Sequence, residues 1–189
     1  MTCVAGVVEH GIIYFASDSI AVGGSDYRKT IQRDGKVFKR NGMLFGTCGS
    51  VRMKQLLRYI VHIPEYDEKI DIMEYLTGPF VDAIRSCFKD AGFAKIEANQ
   101  EEGGIFMIGF RGELFYIERE YNVGRPINDY FAIGCGDEVA CGSLYTSGQM
   151  GMEPVPRLQL ALRAAEHHIT DVSSPFILVS TQENETREL

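Results

Sequence analysis

The sequence predicts an α+β protein built as a four-layer α/β/β/α sandwich, with two mainly antiparallel sheets between two helix layers. Strand and helix patterns alternate in blocks along the 189 residues: strands, two helices, strands, two helices and a final strand. The first strands are almost continuously apolar, which is typical of a sheet covered on both faces. Two sheets packed together, each with helices on its outer face, would bury all of these surfaces.

Three hairpins account for most of the predicted strands. The second has Asn41-Gly42, the strongest short hairpin signal, between two apolar runs. The third turns at Arg111-Gly112, and the first at residues 9–11. The predicted strands cover residues 2–8, 12–17, 36–40, 43–48, 103–110, 113–118, 130–134 and 176–181.

Four segments have helical patterns. The predicted helices cover residues 51–62, 71–91, 137–147 and 157–169. In the first, Met53, Leu56, Leu57 and Ile60 recur on one face, as in a helix that packs on a core. The passage from residue 21 to residue 34 is polar and glycine-rich. Because no repeat, low-complexity tract or long linker interrupts the chain, we expect one domain over residues 1–189.

Composition argues against several functional classes. A net charge of −7 disfavours a nucleic-acid surface, and the basic stretch 52–58 is expected to be a solvated face. No apolar run approaches the roughly 18 residues of a membrane span. Five cysteines without ligand spacing predict reduced thiols and neither a disulfide framework nor a metal site. We also expect no cofactor, and a cytoplasmic location because no secretory signal is visible.

The opening MTCVAGVV places a hydroxyl residue second in the chain. Once Met1 is removed, Thr2 carries both a nucleophilic hydroxyl and a free α-amine. A threonine hydroxyl is a weak nucleophile that needs an adjacent base, and an α-amine with an ordinary pKa of roughly 8 can serve. Alone, however, Thr2 could equally be a permissive second residue.

Six fragments occur in an order that resembles a known family. They are MTCVAGVV, ASDS, KVF, GTCGS, AIGCG and DVSS. Together they resemble proteasome β-type subunits and the bacterial proteasome-related peptidase that docks an AAA+ unfoldase. Such proteins are N-terminal-nucleophile hydrolases of the four-layer sandwich fold, and the resemblance extends over nearly the whole chain.

The resemblance implies a catalytic set around Thr2. Asp18 matches the first acidic partner, although an aspartate that ends a strand is commonly a turn residue. Lys36 matches the lysine beside the nucleophile, and its following strand favours it over Lys29. A nearby ammonium would lower the pKa of the threonine hydroxyl and amine, and Asp18 would keep that lysine charged and oriented.

Further site residues come from the late motifs and the glycine-rich bend. Asp171 and Ser174 match an Asp-x-x-Ser pair near the amine, but could form only a turn between a helix and a strand. Cys135 stands where the family usually has serine. Gly49 is the candidate donor of an oxyanion N–H, with Gly46 in reserve. The resemblance also implies a mainly apolar pocket for the residue before the cleaved bond, lined by Ala21, Phe45 and Met53.

The function so implied is a threonine endopeptidase that cuts peptides or unfolded proteins. We expect it to form a homo-oligomeric ring or spiral with enclosed sites, fed by an AAA+ unfoldase. Two alternatives stay open. One is a small-molecule amidase or acylase on the same fold, and the other is a non-catalytic structural subunit of such a ring.

Overall fold

The computed structural model describes residues 2–22, 29–183 and 185–189, and it confirms the predicted α+β sandwich. The strands are β1 (Cys3–Glu9), β2 (Ile12–Asp18), β3 (Ile20–Val22), β4 (Lys29–Ile31), β5 (Val37–Arg40), β6 (Met43–Thr47), β7 (Lys95–Glu97), β8 (Gln100–Glu102), β9 (Phe106–Phe110), β10 (Glu113–Ile117), β11 (Val123–Gly124), β12 (Tyr130–Gly134), β13 (Phe176–Ser180) and β14 (Arg187–Glu188). The helices are α1 (Val51–Gln55), α2 (Ile72–Tyr75), α3 (Val81–Asp90), α4 (Asp137–Gln149) and α5 (Pro154–His168), with π-helical turns at Leu56–Ile60 and Leu76–Phe80.

Two five-stranded sheets form the centre of the described molecule. The strand orders are β12-β1-β2-β13-β14 in the first sheet and β11-β10-β9-β6-β5 in the second, and every pairing is antiparallel. Two small hairpins, β3-β4 and β7-β8, lie outside these sheets. No helix of the described residues is both long and apolar enough to cross a membrane.

Three apolar clusters fill the spaces between the layers. Val4 and Phe15 belong to the cluster between the two sheets. Phe45 and Phe106 belong to the cluster that joins the second sheet to α1, α2 and α3. Leu158 belongs to the cluster that joins the first sheet to α4 and α5. Alternate residues of β1 enter different clusters, which is why both faces of this strand are apolar.

The predicted hairpin turns place their central residues in a left-handed backbone, which glycine and asparagine adopt at the least cost. Asn41 and Gly42 have φ angles of 49° and 75°, as a two-residue hairpin loop of type I′ requires. Arg111 and Gly112 repeat this geometry with φ angles of 50° and 82°. The resulting registers pair Val37 with Gly46, and Leu114 with Gly109.

The structure differs from the predicted elements mainly at their ends. Helix α5 starts at Pro154, ahead of the predicted residue 157, because proline is favoured in a first helical turn. The predicted helix 71–91 is divided by a π-helical turn that contains Pro79. The polar passage 21–34 carries part of β3 and all of β4, while its residues 23–28 lie outside the described residues, as do Met1 and Asn184.

The antiparallel order brings four chain segments to one end of the sandwich. β1 begins beside the end of β2, since the two strands form a hairpin. In the other sheet, β5 begins beside the end of β6 for the same reason. Thr2 and Lys36 lie immediately before β1 and β5, and Asp18 ends β2, so three residues that the sequence assigned to the site lie at these ends.

Candidate active site

Thr2 lies immediately before β1 and is almost fully buried, with 4% of its surface exposed. Its nitrogen, an amide while Met1 is attached, donates a hydrogen bond to Cys135 Sγ at 3.3 Å. The Cys135 thiol in turn lies 3.3 Å from the Thr2 carbonyl oxygen, to which it donates. The structure therefore brings Cys135 to the backbone of Thr2 on both sides.

Gly134 allows this close approach. It pairs with Cys3 at the end of β12 and has a φ of 106°, which disfavours any residue with a side chain. A Cβ atom at this position would lie 2.2 Å from the Thr2 carbonyl oxygen. A glycine is thus required here for the chain to pass beside Thr2.

Asp18, the last residue of β2, is completely buried, and hydrogen bonds fix its orientation. Its Oδ1 accepts a hydrogen bond from the Cys3 amide at 2.9 Å, and its Oδ2 accepts one from Lys36 Nζ at 2.7 Å. The Lys36 side chain is 12% exposed. Lys29, the alternative lysine, instead donates to Ser173 Oγ at 2.8 Å. The structure pairs Lys36 with Asp18, as the sequence pattern favoured.

Burial opposes the charges of this ion pair. It raises the pKa of the Asp18 carboxyl, while the Lys36 charge and hydrogen bond act in the other direction. Burial also lowers the pKa of the Lys36 ammonium, and Asp18 opposes that shift. Each group therefore depends on the other to remain ionised near neutral pH.

The end of β6 holds the backbone of Lys36 and leads into Gly49. Thr47 donates to the Lys36 carbonyl oxygen from its amide at 2.9 Å and from Oγ1 at 3.0 Å. Gly49 follows with a φ of 80°. Ser50 then caps α1, accepting a hydrogen bond from the Met53 amide at 3.3 Å. Within the described residues the Gly49 amide makes no hydrogen bond, so it remains able to donate to a ligand.

Thr2, Lys36 and Gly49 all line one cavity. Its described wall consists of Thr2, Ser19, Ile20, Ala21, Val22, Gln32, Asp34, Lys36, Thr47, Cys48, Gly49, Ser50, Val51 and Lys54. Asp18 lies directly behind this wall through its contact with Lys36. Residues that carry a hydroxyl, an ammonium and an unused backbone N–H thus line one space, and acyl transfer needs such groups close together.

The pocket residues predicted from the resemblance are only partly where they were expected. Ala21 lines the cavity. Phe45 is fully buried in the core, stacked on Phe38 with ring centroids 5.2 Å apart. Met53 is also fully buried, packed so closely on Gly104 that a Cβ there would lie 2.4 Å from its sulfur. Phe45 and Met53 belong to the core that the helices cover and are not among the described lining residues of this cavity, so their place around the substrate pocket stays a prediction.

The cavity wall also contains polar and charged residues that sequence reasoning missed. Lys54 falls in the basic stretch expected to be a solvated face, yet only 5% of it is exposed. Gln32 and Asp34 reach the same wall from the polar passage before β5. The helix pattern contained one indication that Lys54 would be buried. Lys54 follows Met53 and lies three residues before Leu57, and both of these residues are on the apolar face of the helix.

Asp171 and Ser174 lie in the loop between α5 and β13. Ser174 is exposed, and its amide donates to Glu166 Oε1 at 2.7 Å. Asp171 is half-buried, and neither residue lines the cavity. The loop is tied to the site through Ser19, whose hydroxyl donates to the Pro175 carbonyl oxygen at 2.5 Å. A role of Asp171 and Ser174 near the amine stays a prediction.

No group of three or more histidine, cysteine, aspartate or glutamate side chains within residues 2–22, 29–183 and 185–189 could hold a metal ion.

Gly46, the reserve oxyanion donor, lies inside β6. A Cβ there would come within 2.7 Å of Val4. Its absent side chain therefore serves the contact between the two sheets.

No protein-family model and no curated protein matches the chain. Several solved structures do match its fold. BPH from Thiobacillus denitrificans, in complex with epoxomicin, has a TM-score of 0.77 at 16% identity, covering 95% of this chain and 97% of that one. A Gly-1 mutant of Anbu from Hyphomicrobium sp. strain MC1 has a TM-score of 0.67 at 15% identity, covering 100% of this chain and 87% of that one.

Eukaryotic HslV from Trypanosoma brucei is similar as well, with a TM-score of 0.65 at 14% identity, covering 95% of this chain and 98% of that one. All three are proteasome-type N-terminal-nucleophile hydrolases. The resemblance inferred from the six sequence fragments is confirmed at the level of fold, and the chain has the proteasome-type sandwich.

Proposed function

We propose that this protein, which has the fold of proteasome-type N-terminal-nucleophile hydrolases, is a threonine-type peptidase whose nucleophile is Thr2 after removal of Met1. The observation that carries the proposal is the cavity shared by Thr2 and Lys36, with Lys36 fixed at 2.7 Å by the buried Asp18 carboxylate. A buried ion pair beside a hydroxyl in a cavity is a frequent arrangement of catalytic sites.

In the proposed reaction, Thr2 Oγ attacks the carbonyl carbon of the substrate peptide bond. Its proton passes to the α-amine of the same residue, which acts as the base. The C–N bond then breaks, the leaving amine takes that proton, and an ester to Thr2 remains. A water molecule attacks the ester, its proton returns to Thr2 Oγ, and the carboxylic acid product leaves.

Two neighbours support these steps. The Lys36 ammonium lowers the energy of the developing alkoxide and keeps the amine unprotonated by charge repulsion. The Gly49 amide, which makes no hydrogen bond within the described residues, would donate to the oxyanion of the tetrahedral intermediate. Cys135 contacts the Thr2 nitrogen at 3.3 Å and would orient the amine.

The enclosed assembly belongs to the same proposal. A peptidase site open to the cell would be hazardous, so we propose a homo-oligomeric ring or spiral that encloses the sites and receives unfolded chains from an AAA+ unfoldase. Tyr59 and Ile60, on the π-helical turn after α1, are 55% and 61% exposed and would be covered by a neighbouring copy. Light scattering coupled to size exclusion tests the assembly, and a monomer would contradict it.

The catalytic proposal is tested by the intact mass of the purified protein, before and after incubation with a peptide epoxyketone. The expected result is loss of one methionine residue, followed by a single adduct that peptide mapping assigns to Thr2. Thr2→Ala should lose Met1 in the same way and give no adduct, whereas Thr2→Ser should be labelled. Retained Met1 without an adduct, or labelling of Thr2→Ala, would contradict the proposal.

A further inference from the structure

Lys54 stands out among the residues of the cavity wall because it is a buried cation. It projects from α1, and 5% of its surface is exposed. A lysine this deeply buried usually has a carboxylate partner. Within the described residues, no carboxylate oxygen lies within 4.0 Å of its Nζ.

The contacts of Lys54 are neutral acceptors. Its Nζ donates to Gln32 Oε1 at 2.6 Å and to the Asp34 carbonyl oxygen at 2.7 Å. An ammonium has three N–H bonds, so one donor remains after these two. Asp34 also lines the cavity, but the residue is exposed and Lys54 contacts its carbonyl oxygen, with no salt bridge to its carboxylate within the described residues.

The surroundings of this ammonium are electrostatically unfavourable. Burial is the main cause that lowers the pKa of Lys54, and the nearby charges of Arg58 and Lys36 add to it, while Asp34 acts in the opposite direction. Lys36 is already neutralised by Asp18. A further anion in the cavity would therefore gain the interaction that Lys54 lacks.

The space beside Lys54 is large enough for a side chain. The cavity has about 70 Å³ available to the centres of water-sized molecules. One bound water needs only roughly 10–15 Å³ on this measure. Because Thr2 lines the same cavity, a substrate attacked by Thr2 would place its nearest side chain there.

Building on the proposed function, we propose that Lys54 selects substrates with an acidic side chain at the residue whose carbonyl carbon Thr2 attacks, the P1 residue. A glutamate or aspartate carboxylate would accept the remaining N–H of Lys54 and supply its missing counter-charge. A P1 leucine would leave that donor unsatisfied, and a P1 lysine would be repelled.

The test uses fluorogenic peptides that are identical except for a P1 residue of Glu, Gln, Leu or Lys. The wild-type protein should cleave the Glu peptide with the highest kcat/KM, above Leu by a factor on the order of 10 to 100, as for a hydrogen-bonded charge pair. In Lys54→Met, kcat/KM for Glu should fall by a similar factor while the value for Leu is kept or rises.

Lys39→Met is the matched control because it removes the same charge from an exposed lysine, whose Nζ donates to the Thr181 carbonyl oxygen at 3.0 Å. This variant should keep the wild-type order of substrates. The Glu-to-Leu ratio is the informative quantity, since a merely structural loss would lower both rates together. Lys54→Arg, which keeps the charge, should keep the preference for Glu.

Three results would overturn the inference while leaving the peptidase proposal intact. They are wild-type preference for Leu or Lys, an equal effect of Lys54→Met on all four peptides, and loss of the Glu preference in Lys39→Met. If Lys54→Met does not fold, the wild-type ranking and Lys54→Arg decide the question. Absence of both cleavage and a Thr2 epoxyketone adduct would instead refute the proposed function itself.

Discussion

Asp18→Asn is the substitution that most directly tests the central ion pair. Asparagine has nearly the same shape as aspartate, and its Oδ1 can still accept from the Cys3 amide, now at 2.9 Å. What changes is the group that faces Lys36 Nζ at 2.7 Å, which loses its charge. The substitution thus leaves a buried ammonium without its counter-ion.

The expected loss of stability follows from the burial of the pair. Removing one partner of a buried ion pair costs roughly 3–5 kcal/mol, because the other charge stays desolvated. Asp18 is fully buried, whereas the Lys36 side chain is 12% exposed. This exposure, and the lowered pKa that lets Lys36 release its proton, place the expected loss near the lower end, at about 3 kcal/mol.

Urea unfolding of the wild type, Asp18→Asn, Lys36→Met and the double variant Asp18→Asn/Lys36→Met measures this loss. The double variant should be more stable than Asp18→Asn, since it buries no unpaired charge. Epoxyketone labelling should be lost in Asp18→Asn, even where the protein is fully folded. Strictly additive losses in the double variant, or wild-type labelling of Asp18→Asn, would refute this account of the pair.

Three further predictions concern the pH dependence and the backbone of the site. Because the pKa of Asp18 is raised, this group stabilises the fold below its ordinary pKa of about 3.9, and the stabilisation is lost as the pH rises through the raised pKa. Because the pKa of Lys36 is lowered, this group stabilises the fold above its ordinary pKa of about 10.4, and the stabilisation is lost as the pH falls through the lowered pKa. The stability of the wild type relative to the double variant should therefore be lowest between these limits, and a maximum there in unfolding measurements would contradict the shifts. Gly49→Ala should lower the free energy of unfolding by about 1–2 kcal/mol because of the φ of 80° alone, since the added Cβ meets nothing within 4 Å. Gly78→Ala is the control: its added Cβ is equally unobstructed, its φ is not positive, and it should not destabilise the protein. Cys135→Ser should keep both contacts with Thr2 and react with the epoxyketone at a rate within a few-fold of wild type. Cys135→Val should lose about 0.5–1.5 kcal/mol of stability per hydrogen bond and react more slowly. Equal labelling rates for both variants would argue against a positioning role of Cys135.

The local pattern of the sequence was enough to predict most of the fold. The hairpins at Asn41-Gly42 and Arg111-Gly112 each contain a glycine that adopts a left-handed backbone, and this residue type can be read directly from the sequence. The four layers follow from strands apolar on both faces and helices apolar on one. The short strands β7, β8, β11 and β14 lack such a pattern, because two or three residues carry no periodicity.

The family resemblance named Asp18 and Lys36 as partners, and the structure places the Lys36 Nζ and the Asp18 Oδ2 2.7 Å apart. Which side chains line the cavity depended instead on how the helices pack on the second sheet. That packing sends Phe45 and Met53 into the core and turns Lys54 inward, against Gln32 and the Asp34 carbonyl oxygen. Contacts between residues 20 or more positions apart have no local pattern, so only the tertiary structure decided which side chains line the cavity.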